Sequence, residues 1–408
     1  MCLLPSKYTP QIQGDMTRLG GKLPFGQAVE EIKYSHKLTV TQETMRRITE
    51  DNGRAEVARV EAEVKQLERD APQPEANPEQ LLVSADGVMV RLTNGESYEV
   101  KSIAVGEFEE EWSPRQRQQV VKTKAISYFA SSYRVRDFER YALAELHHRG
   151  LENATKVVAV NDGASWIQNF TDYHAPQATR IIDFTHMSGY LATAGKAVFG
   201  EGTPDFQQWF KDIRHQLKYK PPQKTLTELS LLTQKAVTPE QQATVEEAVF
   251  YMQSRLSMLD YPHFQASAFP IGSGSVESGH KVVVQPRLKG AGMRWAEPNL
   301  NPMLALRNLI ANDRWSTGWS KIIAFRQQQL SSKRFACVKN RPTASSVNPP
   351  LADSAADVPL VNTSLSNSSR VMRSSPDIDG LSPSKKPYKP SPNHPWRRGF
   401  LSNKASRN

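Results

Sequence analysis

The sequence predicts an α/β fold: a mixed sheet with helices, interrupted by an all-helical segment and preceded by a small helical domain. Three observations predict it. Residues 81–92 alternate in strand fashion and are rich in Val and Leu, a hairpin signal follows at Asn94-Gly95, and further strand patterns run to residue 131. From residue 135 onward, helical stripes alternate with short, fully apolar strands. Residues 200–265 then show helical stripes only.

The elements justify this in order. Phe25, Ala28, Val29 and Ile32 make a helical stripe, Leu38 and Val40 fall in a turn, and Thr39 or Thr41 can cap a following helix. In that second helix Met45 and Ile48 face inward and Arg46 and Arg47 outward, a pattern shared by helix-turn-helix units and ordinary packed helical pairs. Residues 54–70 are expected to form a separate helix. Its stripe Val57, Val60, Val64 and Leu67 can either pair two protomers or pack within its own domain. The Pro-rich stretch 71–80 is a linker by composition.

Strands are expected at 81–92, 97–108 and 125–131, a helix at 135–149, a buried strand at 156–160, a helix at 164–173 and another buried strand at 180–184. Three antiparallel strands leading into alternating helix and strand form the ribonuclease-H-like layout. The stripes Phe206, Trp209, Phe210, Ile213, Leu217 and Val245, Ala248, Val249, Met252, Leu256, Leu259 are expected to be core of the helical segment. The resulting plan is an N-terminal helical, DNA-binding region (1–70), a linker (71–80), a first core part (81–199), an all-helical insertion (200–268), a second core part (269–330) and a disordered basic tail (331–408).

Composition narrows the function classes. The net charge is +10 over 408 residues, which points to an acidic polymer as partner. Residues 331–408 hold thirteen Lys or Arg against four Asp, so residues 1–330 are left at about +1. Nucleic-acid binding by the body therefore needs local patches. There are two cysteines, Cys2 and Cys337, too few for a disulfide scaffold or a four-cysteine zinc site, and an intracellular protein is expected. No apolar run is long enough to span a membrane, and the start lacks the character of a signal peptide.

Three acidic residues carry the candidate chemistry. Asp86 lies mid-strand, where Asp is disfavoured. Asp162 follows a buried strand, at the kind of carboxyl end where α/β sites form. Glu277 stands in the first turn of a helix opened by Gly272-Ser273-Gly274. Taken singly, each has a bland alternative: a solvent-facing carboxylate, an N-cap, a dipole partner. Together they are expected to converge, because first and fourth strands are neighbours in such a sheet. Clustered carboxylates repel unless cations neutralise them, and oxygen ligands favour two Mg²⁺ or Mn²⁺ ions acting on a phosphodiester.

Asp183 either adds a carboxylate or caps a helix, and His186 either meets a ligand or is structural. Lys281, Arg287, Lys289 and Arg294, with His280 and Trp295, form a run suited to tracking a DNA backbone or to a solvated face. Glu109-Glu110-Glu111 is expected to be a solvated face, and His147-His148 lacks partners at metal-ligand spacing.

From about residue 3 to residue 319 the chain resembles the ISKra group of bacterial insertion-sequence transposases, relatives of Mutator-like elements. The most specific block is Ile271-Gly272-Ser273-Gly274-Ser275-Val276-Glu277-Ser278-Gly279-His280-Lys281, continued by Arg287-Leu288-Lys289-Gly290-Ala291-Gly292-Met293-Arg294-Trp295. Asp162-Gly163-Ala164-Ser165-Trp166-Ile167, Asp183-Phe184-Thr185-His186 and Asp86-Gly87-Val88 add to it. The resemblance implies a DDE transposase with Asp86, Asp162 and Glu277 as catalytic and metal-holding triad and Asp183 and His186 as accessory motif. The partners it implies are terminal inverted repeats and target DNA in the bacterial cytoplasm. A homodimer is expected from the 57–67 stripe and from the need to hold two ends. A truncated, catalytically incompetent DNA-binding product and another ribonuclease-H-like nuclease are the alternatives.

Overall fold

A five-stranded mixed sheet organises the computed structural model, which describes residues 7–114 and 117–339, with side chains as far as residue 332. Helices α1 (Pro10–Lys22), α2 (Phe25–His36) and α3 (Gln42–Asp70) come first. Strands β1 (Gln80–Arg91), β2 (Ser97–Ser113) and β3 (Gln118–Ser131) follow. Then come α4 (Val135–His148), β4 (Lys156–Asn161), α5 (Ser165–His174), β5 (Thr179–Ile182) and α6 (Phe184–Phe199). Four helices succeed them: α7 (Pro204–Tyr219), α8 (Pro222–Leu232), α9 (Pro239–Gln253) and α10 (Tyr261–Ala266). The chain continues through α11 (Gly274–Gly279), α12 (Gln285–Leu288), α13 (Leu300–Ala311) and α14 (Trp315–Lys339). The sheet order is β3-β2-β1-β4-β5, with β1 antiparallel to β2 and parallel to β4.

Strand alternation divides the sheet into two faces. Leu81, Val83 and Ala85 of β1 point to the face covered by α4 and α5, packing with Phe138, Leu146, Ile167 and Phe170. Leu82 points the other way, with Val158, Val160 and the apolar stripes of α6, α7, α8 and α9. Farther along that second face, Val90 and Val100 pack on Val276, Val283, Leu288 and Met303 of the C-terminal helices. Burying one such Leu or Val side chain contributes about 2 kcal/mol. Asp86 falls on this face between Leu82 and Val90, so it sits at the seam between two helical groups.

Several elements differ from the sequence expectations. The helices expected at 41–50 and 54–70 are one continuous α3. Asp51-Asn52-Gly53 does not break it, because a Cβ at Gly53 would lie 2.4 Å from the Pro302 carbonyl, while Asn52 donates to Thr17 Oγ1 at 2.8 Å. Helix packing at that point requires glycine. The Val60, Val64, Leu67 stripe packs on Leu143 and Tyr141 of α4, so this seam is occupied within the chain. The second and third strands run past the core as a charged ribbon, in which Lys122 pairs with Glu111 at 2.8 Å and Lys124 pairs with Glu109. A bulge at Ala125, whose φ is +48°, lets β3 continue through the register shift. Residues 331–339, expected in the tail, belong to α14, where neither Gly nor Pro occurs between Gly318 and Pro342. Residues 340–408, the remainder of that expected tail, lie outside the described residues.

The free edge of β3 is closed by asparagines. Asn312 accepts from Tyr128 N and donates to Tyr128 O, both at 2.8 Å. Asn308 does the same for Ala130 at 3.0 and 3.1 Å, and Asn301 accepts from Ser132 N at 2.8 Å. Four residues of helix rise about 6 Å, close to the roughly 6.6 Å that two strand residues span. Residues 308 and 312 can therefore serve 130 and 128 in register, protecting an edge that would otherwise invite pairing. Among the described residues, no helix is long and apolar enough to cross a membrane.

Candidate active site

The site begins where β1 and β4 separate. Their parallel ladder ends at Val83 opposite Ala159. Beyond it, the Asn161 side chain reaches across and accepts from Ala85 N at 2.6 Å, replacing the missing backbone partner. The same register carried forward sets Asp86 level with Asp162. Opening the two strands at this point leaves room between their carboxylates.

Each side chain is held locally. Asp86 Oδ1 accepts from Gly87 N at 2.7 Å, and its Oδ2 lies 3.6 Å from His280 Nδ1. Asp162 Oδ1 accepts from Ala164 N at 2.9 Å, which turns the chain from β4 toward α5. Between them Gly163 has φ +83°, and a Cβ there would lie 2.7 Å from Ile182 and 2.9 Å from the Tyr251 hydroxyl. Both backbone shape and crowding therefore demand glycine next to the carboxylate. Glu277 is exposed on α11, whose Val276 anchors that short helix in the core.

Asp86, Asp162, Asp183, His186 and Glu277 line one cavity of about 230 Å³, together with Ala85, Thr185 and Ser273. The five triad and accessory residues expected from the sequence are thus brought together. Burial pushes the Asp86 carboxyl up to about 6, and the charges of Asp162 and Glu277 push in the same direction. Burial also lowers the pKa of the adjacent His280, whose Nε2 is buried without a partner. Asp86 therefore has no cationic imidazole to offset its neighbours at neutral pH. The donor set, all carboxylate oxygen with one imidazole, suits a hard divalent cation. Among the described residues, no three His, Cys, Asp or Glu side chains stand close enough to hold an ion as they are.

Asp183 has a structural task. Its Oδ1 accepts from His186 N at 2.6 Å as the cap of α6, and its Oδ2 accepts from Ser273 N at 2.6 Å. One buried carboxylate thus ties the end of β5 to the loop that launches Glu277. His186 lies beside Tyr190 and Tyr251, with ring centroids 5.5 and 5.8 Å away.

The basic residues divide. Lys281, Lys289 and Arg294 are exposed, and none of them lines the cavity. Arg287 is a correction: it is 2% exposed, its Nε donates to Gly20 O at 2.9 Å, and its guanidinium sits over Phe25 and Trp295. Burial brings it down to about 10, helped by the charge of Arg307. It joins α1 to the C-terminal helices and is closed to DNA. Trp295, expected to be free for stacking, is likewise buried and donates to Arg287 O at 3.0 Å. On α3, Arg46 is bound by Glu43 and Glu50, while Arg47 is exposed.

Three supports of the site were missed in the sequence. Asn161 could have been flagged as a polar residue ending an apolar strand. Tyr251 on α9 donates its hydroxyl to Asp162 O, and Arg255 just beyond α9 donates to Gly163 O at 3.3 Å. Arg255 stacks on Tyr251 at 4.2 Å, and Tyr251 stacks on Tyr190 at 4.0 Å. The i,i+4 spacing of Tyr251 and Arg255 was visible, but nothing local tied it to a turn so distant in sequence. No protein-family model matches the chain, and no curated protein matches it significantly.

Proposed function

We propose that this chain is a DDE-type DNA transposase that cleaves insertion-sequence ends and transfers the strand to target DNA. The observation that carries the reading is the convergence of Asp86, Asp162 and Glu277 on one cavity from two adjacent parallel strands and a distant helix. The central β1, flanked by β2 and β4, supports a ribonuclease-H-like core, with α7 to α10 as the helical insertion before Glu277. The ISKra-like motifs agree with the positions of Asp183 and His186 beside the triad.

Asp86, Asp162 and Glu277 would hold Mg²⁺ or Mn²⁺, since among the described residues no Lys or Arg neutralises their crowded charge. When bound, two such ions supply activation of water or a 3′-hydroxyl and stabilisation of the leaving oxygen. The chain's own residues orient the site. Asn161 spaces the two strands, Asp183 fixes the Glu277 loop, and Tyr251 and Arg255 brace the Asp162 turn.

The test incubates the full chain with DNA that flanks its own gene, in Mg²⁺ or Mn²⁺. Nicking by the wild type, lost in Asp162→Asn with DNA binding retained, is the expected result. Nicking that survives Asp162→Asn removes the site from the mechanism. Binding without nicking in either cation returns the chain to the incompetent-product alternative.

A further inference from the structure

We infer that the exposed face of α7 is a DNA-backbone track leading to the acidic cavity, a deepening that rests on the function proposed above. Lys211, Arg214, His215 and Lys218 recur at i, i+3, i+4 and i+7, so they share one face of the helix. They wall a groove of about 460 Å³ whose apolar side is Phe184, Phe206 and Phe210. Arg214 is steadied over the Phe184 ring at 5.4 Å.

Charge is the first argument. Among the described residues, none of Lys211, Arg214 and Lys218 has a carboxylate partner. The acidic residues of α7 are Asp205 in its first turn and Asp212, which accepts from Gln208 at 2.7 Å. On α3 most of the cations are paired with carboxylates of the same helix, and residues 1–330 total only about +1. This row of unpaired cations is the kind of local patch that a near-neutral body needs in order to bind a polyanion.

Position is the second argument. Phe184 lines the groove, while Asp183 before it and Thr185 and His186 after it line the acidic cavity. Groove and cavity therefore meet at the first turn of α6. The row from Lys211 to Lys218 spans about 10 Å of helix, enough for about three successive phosphates at roughly 3.4 Å per nucleotide along one strand. A strand lying there would be delivered to the carboxylates, whose own negative charge repels a phosphate. The cations of α7 would offset that repulsion before any ion is bound.

The experiment measures binding of the full chain to a fluorescent 30-base-pair duplex over a salt series, without divalent cations so that no cleavage intervenes. Lys211→Ala/Arg214→Ala/Lys218→Ala is compared with Lys65→Ala/Arg69→Ala/Lys122→Ala, which removes the same charge from cations already paired with carboxylates. The α7 variant is expected to bind at least about tenfold more weakly at 0.1 M salt, with a log–log salt slope shallower by about 2 to 3, as the loss of three phosphate contacts requires. The paired-cation variant should change less than about twofold by the same rule. Equal losses in the two variants, or wild-type affinity and slope in the α7 variant, overturn the track while leaving the transposase reading standing. A wild type that binds no duplex overturns that reading itself.

Discussion

Helices α3 and α7 both carry rows of basic residues, yet they dispose of the charge in opposite ways. On α3, five of the six cations are in ion pairs: Arg46 with Glu43 and Glu50, Arg54 with Asp51, Arg59 with Glu56 and Glu63, Lys65 with Glu61, and Arg69 with Asp70. On α7, among the described residues, none of the three Lys and Arg residues facing the groove is so paired. The helix-turn-helix-like pattern at the N-terminus drew attention to Arg46, but Arg46 is committed within the chain. The difference teaches that basic residues point to a polyanion only after their carboxylate partners have been subtracted. The acidic cavity obeys the same rule with the sign reversed, since among the described residues no Lys or Arg pairs with its carboxylates.

The sharpest way to break the comparison is to remove a committed cation. Glu56 is only 2% exposed, and burial raises its pKa against the pull of Arg59. Arg59→Met should therefore cost about 3 kcal/mol at pH 7, because it leaves a buried carboxylate unpaired. Chemical denaturation of the variant checks this. The folded pKa of Glu56 is raised, so the penalty enters as pH climbs from the unfolded value through the folded one. The deficit should be largest at neutral pH and shrink in acid. A deficit under about 0.5 kcal/mol would mean that the α3 pairs are surface ornaments.

The uncommitted acidic cavity should respond the other way. Asp86 ionises near 6 instead of its ordinary value, because of burial first and then Asp162 and Glu277. A raised acid pKa means that the native state binds the extra proton, so stability falls as pH rises through about 4 to 6. Asp86→Asn should abolish that fall. The side chain is 35% exposed, so solvent screening reduces the gain at pH 7 to about 1 kcal/mol. Thermal unfolding at pH 4 and pH 7 measures it. The wild type should recover a similar margin in millimolar Mg²⁺ or Mn²⁺, and Asp86→Asn should recover less.

Much of the site was legible because its signals were local. Asp86 interrupts an alternating strand, Asp162 ends an apolar one, and Glu277 opens a helix after Gly-Ser-Gly. What stayed hidden depended on partners far along the chain. Arg287 and Trp295 looked like exposed members of a basic run, but the guanidinium finds the Gly20 carbonyl and two aromatic faces, while the indole finds the Arg287 carbonyl. Asn301, Asn308 and Asn312 carry no helical signal, yet they close a sheet edge. The distal ribbon of β2 and β3 lacks apolar alternation because cross-strand Glu–Lys pairs replace a core. The continuity of α3 through Gly53 was hidden in the same way, because the group that demands glycine there, the Pro302 carbonyl, lies on another helix.

The smallest expected effect is also the most discriminating. If the α7 cations serve a partner and not the fold, removing them should leave the free protein unchanged. Lys211 and Arg214 are exposed, and the apolar stripe beneath them, Phe206, Ile213 and Leu217, stays buried without their help. Lys211→Ala and Arg214→Ala should each alter stability by less than about 0.5 kcal/mol, as surface changes outside any network do. Alanine's helix propensity, and relief of the mutual repulsion between neighbouring cations, even favour a slight gain. Urea unfolding of both variants measures this directly. A loss above about 1 kcal/mol would show that the row supports α7 itself, for example through Arg214 on Phe184. The contrast with α3 would then rest on which surface of the fold each helix supports, and charge left for a partner would no longer explain it.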